Sequence, residues 1–101
     1  MNIFAKLFRQ DIEAFAQVLV ADLAKRCPPP DGQARQSKRL AAALEETYLR
    51  AAKFRRERRL GLLGKARLGN AFKWGLKERG YTEAFVETRT RELVLRLAQK
   101  Q

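Results

Sequence analysis

Apolar residues recur along this chain in four runs with helical spacing. In the first, Phe4, Phe8, Ile12, Phe15, Leu19 and Leu23 follow one another at intervals of four and three, which stacks them on one stripe of a helix. The run predicts a helix over residues 3–27. Leu7, Val18 and Val20 widen its apolar face, and Lys6, Gln10, Glu13 and Gln17 line the other side. The prolines at 28, 29 and 30 end it, because proline has no amide hydrogen and holds an extended backbone. Residues 28–36 are expected to form a proline-rich connector.

Ser37 is the expected N-cap of a second helix over 37–60. Leu40, Leu44, Tyr48 and Ala51 form its seam, and Glu46 and Arg50 have the spacing of an i,i+4 ion pair. After Phe54 the seam fails, since positions 55, 56, 58 and 59 are all arginine. A third helix over 62–79 follows Leu68, Phe72 and Leu76, with Ala71 and Trp74 to the side. Gly80 reads as its C′ residue. Thr82 caps a fourth helix over 82–99, with Val86, Thr90, Leu93 and Leu97 inward and Val94 and Ala98 broadening the stripe. Glu92 with Arg96 and Glu87 with Arg91 are spaced as surface pairs. The pattern predicts an all-α fold: one domain, 1–101, as a compact bundle of about four helices with short loops and no sheet.

Glycines 61, 64, 69 and 75 interrupt this reading, since each costs up to about 1 kcal/mol against alanine inside a helix. Gly61 and Gly64 are expected to form a break between helices. Gly69 and Gly75 are expected to let another backbone pack closely against the third helix.

Composition narrows the chemistry. Apolar residues make up 46% of the chain, enough to bury a core. The apolar stretch near the start is broken by Gln17 and Asp22 and is too short to span a bilayer. Asp11 and Glu13 interrupt anything resembling a secretion signal, so a cytoplasmic location is expected. One cysteine, Cys27, excludes an internal disulfide. The absence of histidine removes histidine-dependent triads and the common zinc sites. The nearest carboxylate pairs argue for no acid–base site: Glu45 and Glu46 diverge by about 100° on a helix, and Glu83 and Glu87 share a face, but Glu87 suits a surface pair with Arg91. No catalytic residue, metal, cofactor or small-molecule substrate is expected, and the chain is not expected to be an enzyme.

Charge supplies the functional expectation. The net charge is +11, and residues 50–79 alone hold eleven basic groups and two acids, or +9. Such a concentration attracts polyanions. Arginine predominates, and its planar fork suits phosphate. The expected contacts are Arg55, Arg56, Arg58, Arg59, Lys65, Arg67 and Lys73, with Trp74, Phe72 or Tyr81 available to stack on bases. For Trp74 the competing expectation is a partly buried place at the edge of the core.

Sharper motifs fail. The stretch GLLGKARLG lacks the spacing of a phosphate loop, and no strand precedes it. A helix-turn-helix around Gly80 would present Glu83 and Glu87 at the start of its reading helix, where bases and phosphates lie. The sequence therefore predicts a small basic helical protein that binds DNA or RNA through the phosphate backbone, largely independent of sequence. The alternative is a non-catalytic assembly module, either a homo-oligomer or the partner of an acidic protein. Attachment to an anionic membrane, with Phe4, Leu7 and Phe8 as anchors, ranks third.

Overall fold

The structure, a computed structural model, describes residues 3–30 and 37–99, with side chains described for 8–30 and 38–99. Among these residues there are four helices and no strand: α1 (Ile3–Arg26), α2 (Ser37–Arg58), α3 (Leu62–Arg79) and α4 (Glu83–Ala98). The bounds differ from the predicted ones by two residues at most. Most of the connector, and the side chain of the expected cap Ser37, lie outside the described residues.

Contacts along the helices give their directions. Asp11, Asp22 and Arg26 of α1 meet Arg58, Arg50 and Glu46 of α2, so these two run antiparallel. Phe8 lies beside Gly64 and Val20 beside Gly75, so α1 and α3 run parallel. Val94 of α4 reaches Gly69 of α3, and the chain reverses at Gly80 between them. The principal contacts are α1 with α3, α3 with α4, α1 with α2, and α2 with α4. They close a ring in which α2 and α3, consecutive in the chain, are not neighbours.

The core follows the predicted stripes with particular departures. Ile12, Leu19, Leu23, Leu68, Phe72, Leu76, Val86, Leu93 and Leu97 are all buried, each such side chain contributing about 1.5–3 kcal/mol when fully removed from water. Phe15 of α1 stacks on Phe54 of α2, ring centroids 4.0 Å apart. Val18, Val94 and Ala98 are exposed, so they do not widen the core stripes as expected. Phe85, which precedes the expected inner stripe of α4, is buried against Tyr81 instead.

The expected ion pairs within helices give way to pairs between them. Glu46 bonds Arg26, Arg50 bonds Asp22 at 2.8 Å, and Arg96 bonds Glu45 of α2. Glu92 takes Arg89 of its own helix rather than Arg96, and also accepts from the Tyr48 hydroxyl of α2. Each of these side chains sits where its helix meets another, so it can reach across that line as easily as along its own surface.

The α3–α4 turn is fixed at both sides. The amides of Gly80 and Tyr81 donate to the carbonyls of Lys77 and Leu76, a Schellman end that requires the left-handed φ of 97° at Gly80. Thr82 then caps α4 by accepting from the Phe85 amide at 3.2 Å. The Tyr81 hydroxyl donates to the Cys27 carbonyl at 2.6 Å, and the Thr82 amide donates to the Pro30 carbonyl. These two bonds tie the turn to the end of α1.

Gly69 and Gly75 mark a close approach, but of valine side chains rather than of another backbone. A Cβ at Gly75 would stand 2.9 Å from Val20 Cγ2, and one at Gly69 would stand 2.9 Å from Val94 Cγ2. The two sites differ in what can yield. Val20 is held in the core, whereas Val94 is 45% exposed and can turn aside. Gly75→Ala is therefore expected to lower stability in urea denaturation by about 1 kcal/mol, overpacking outweighing the gain in helix propensity. Gly69→Ala is expected to be neutral or stabilising, and an equal loss at both positions would contradict this account.

Candidate nucleic-acid interface

The basic run does not form one continuous face. It divides at the end of α2. The amides of Arg59 and Leu60 donate to the carbonyls of Arg56 and Arg55, again a Schellman end. The left-handed position here is held by Arg59, with φ 52°, rather than by a glycine. Gly61 becomes the N-cap residue of α3, and Gly64 lies inside that helix, buried against Leu60 and Phe8. The expected break at Gly61 and Gly64 thus falls earlier, at Arg59–Gly61. No local glycine signal marks Arg59, because its φ is imposed by the burial of Leu60 and the packing of the next helix.

The four arginines of this turn have different fates. Arg58 bonds Asp11 of α1, and its guanidinium lies 5.2 Å from the centre of the Phe54 ring. Arg55 is half-buried and donates to the Gln99 carbonyl at 3.3 Å, which caps the C-terminal end of α4. Arg56 and Arg59 are exposed. All four oppose the negative end of the α2 dipole. Arg55 and Arg58 hold helices together, and their charges are partly spent on the fold.

On α3 the predicted residues lie on two flanks. Lys65 lines a small apolar groove against α4, with Leu62, Ala66, Val94 and Ala98. Lys73 follows Ala66 by seven positions and precedes Lys77 by four, so it continues the α4-side line. Arg67 and Trp74 lie on the other flank and line a groove against α1. Trp74 is 53% exposed, with the Lys77 ammonium 5.0 Å from the ring centre. The expected burial of Trp74 at the core edge is thus only partial. Phe72 and Tyr81 are buried and cannot stack on a ligand. Among the described residues, Arg59, Lys65, Arg67 and Lys73 form no ion pair.

Several surface residues went unmarked in the sequence. Leu62 and Leu63 are 84% and 67% exposed at the start of α3. Their spacing of six and five from Leu68 sets them off the buried line, a signal present in the sequence. Arg9 and Gln17 of α1 and Asn70 of α3 join Arg67 and Trp74 in the α1–α3 groove. Nothing in local sequence pairs α1 with α3. Of the apolar residues considered for a membrane surface, Phe8 is 38% exposed, and the side chains of Phe4 and Leu7 lie outside the described ones. No helix among the described residues is long and apolar enough to cross a membrane.

Two tyrosines have displaced acidities. Burial, then the Glu92 carboxylate it bonds, raises Tyr48 above the usual tyrosine range. Burial, then the neighbouring Cys27, pushes Tyr81 up to about 12. Both stay protonated donors at neutral pH, serving as anchors between elements. Among the described residues no group of three or more histidine, cysteine, aspartate or glutamate side chains gathers as a metal site would need.

No protein-family model matches this chain, and comparison with curated proteins and with solved structures gave no significant match. What the surface can do is therefore read from its own residues. Arg59→Gly is expected to raise stability by about 1 kcal/mol, because glycine enters the left-handed region without the penalty of a side chain. Arg58→Ala, which loses the Asp11 pair and the Phe54 contact, is expected to lower it by up to about 1 kcal/mol, small because the pair is largely exposed. Urea denaturation of both variants checks the division between an arginine the fold uses and one it does not.

Proposed function

We propose that this is a small nucleic-acid-binding protein that holds the phosphate backbone, largely without regard to sequence, through the cations of α3 and the α2–α3 elbow. The observation that carries the reading is the division of charge. Arg26, Arg50, Arg58 and Arg96 meet carboxylates of other helices, while Arg59, Lys65, Arg67 and Lys73 meet none. Cations left unpaired on one short helix and its elbow repel one another, and a polyanion relieves that repulsion. A cytoplasmic site of action and a non-enzymatic role belong to the same reading.

Fluorescence anisotropy with labelled duplex DNA, single-stranded DNA and RNA across a salt series tests it. Replacing Arg59, Lys65, Arg67 and Lys73 together by glutamine is expected to reduce the slope of log K against log salt by about three to four units, at roughly 0.7–0.9 per lost phosphate contact. Arg58→Gln, by contrast, is expected to leave the slope close to that of the parent protein. An unchanged slope in the fourfold variant, with its helical circular dichroism intact, would remove these residues from the interface.

A second reading is favoured by the exposed leucines. Leu62 and Leu63, with Val94 and Leu95 exposed on α4, leave apolar surface that phosphate contacts would not use. In this reading a second copy covers it through a self-complementary contact. Sedimentation equilibrium is expected to give a dimer that Leu62→Ser with Leu63→Ser converts to monomer. A parent protein monomeric at high micromolar concentration would dismiss it.

A further inference from the structure

We infer that the groove between α1 and α3 takes an unstacked nucleobase, which makes single-stranded nucleic acid the preferred ligand. The inference rests on the nucleic-acid reading above and gives it a substrate. Arg9, Glu13 and Gln17 succeed one another at intervals of four on α1, and Arg67, Asn70, Trp74 and Glu78 at intervals of three and four on α3. Because the two helices run parallel, these lines face each other as two ladders. Together they border a groove of about 300 Å³, at the small end of the range for ligand clefts.

The chemistry of the groove selects a base over a phosphate. Arg9 and Arg67 are offset by Glu13 and Glu78, so the groove carries no net charge to hold a bare anion. What it offers is an exposed indole, two primary amides at Gln17 and Asn70, and two carboxylates. An indole face stacks on any base. The amides and carboxylates supply the donors and acceptors that read a base edge, and carboxylates accept from an exocyclic amine.

In a duplex the Watson–Crick edges are paired and the ring faces are stacked, so the indole has no face to stack on. The phosphates on either side of a base in the groove would fall near the cations at its rim. Arg67 and Arg9 stand at one end, and Lys77 lies beside the indole. Trp74 is the one tryptophan in the chain and the only exposed aromatic ring of the basic segment 50–79. Its neighbour Gly75 lets α3 settle against Val20, which sets the indole at the lip of the α1–α3 seam.

Trp74 is also its own reporter. Titration of the full chain with short poly-dT, with a duplex of equal length and with heparin should quench the indole emission for the single strand alone. Trp74→Ala is expected to weaken single-strand binding by about tenfold, in line with the loss of one stacked base. It should leave duplex and heparin binding within about twofold. Trp74→Phe should restore most of the loss, and paired Gln17→Ala and Asn70→Ala should weaken it without altering the fold by circular dichroism.

Equal binding of single strand and duplex, with unchanged emission and no effect of Trp74→Ala, would overturn the groove as a base site and leave the phosphate reading standing. Nucleic acids that bind no better than heparin, with no response to the cation variants, would overturn the phosphate reading and the groove with it.

Discussion

A helix bearing cations on several sides can join a bundle only if its few apolar positions are gripped on one narrow line. In α3 that line is Leu68, Phe72 and Leu76, all fully buried, and the surrounding structure is arranged to hold it. Gly64 and Gly75 remove side-chain bulk where α3 meets Leu60, Phe8 and Val20 of its surroundings, and Gly69 does so where it meets Val94. The glycines therefore lower helix propensity and raise packing together. With the inner line held this closely, the charged positions are turned to the rim and the outside. The two grooves along the flanks of α3 are what that close fit leaves at the surface.

The same economy explains why a basic run in sequence becomes two kinds of cation in space. On α2 the helix surface borders α1 on one side and α4 on the other, and the arginines there find Asp11, Asp22 and, at the α4 seam, the reverse arrangement with Glu45 and Arg96. The neighbours of α3 offer its cations no such pairs. The resulting surface is cationic for a positional reason, and under the proposed function a ligand rich in phosphate would meet it without first displacing an internal partner. Around Trp74 the balance shifts again, from net charge to a polar cleft with an aromatic wall. The proposed contacts to a backbone and to a base ask for different environments, and the two flanks of α3 differ in that way.

Much of the fold was legible because its signals are local. The four stripes, the Thr82 cap and the Gly80 helix end all depend on residues within a turn or two of one another, and each stands where the spacing puts it. The departures are tertiary. Val94 belongs to the α4 stripe by spacing but faces solvent, while Phe85 is drawn inward by Tyr81. Glu46 and Arg50 have ideal spacing for each other and still choose α1. The helix break moved to Arg59 because an arginine gives no hint of a left-handed φ. For the site, the segment that holds the charge was evident, but which cations the fold consumes was not. Nor was the groove, since Arg9 and Gln17 lie some fifty residues from their partners on α3.

The cross-helix ion pairs carry a consequence for how the molecule comes apart. α2 puts Ala43, Ala51 and Ala52 into the interior beside Leu44, Tyr48 and Phe54, and its ion pairs to α1 and α4 are partly exposed. Pairs of that kind weaken as counterions accumulate, whereas the α1–α3–α4 contacts are predominantly apolar and strengthen in kosmotropic salts. Among the described residues every cross-helix ion pair involves α2, so its attachment is the one that ionic strength acts on most directly. Ionic strength then acts on this protein at two levels at once: it screens the outer cations, and it weakens the links that hold α2 to its neighbours.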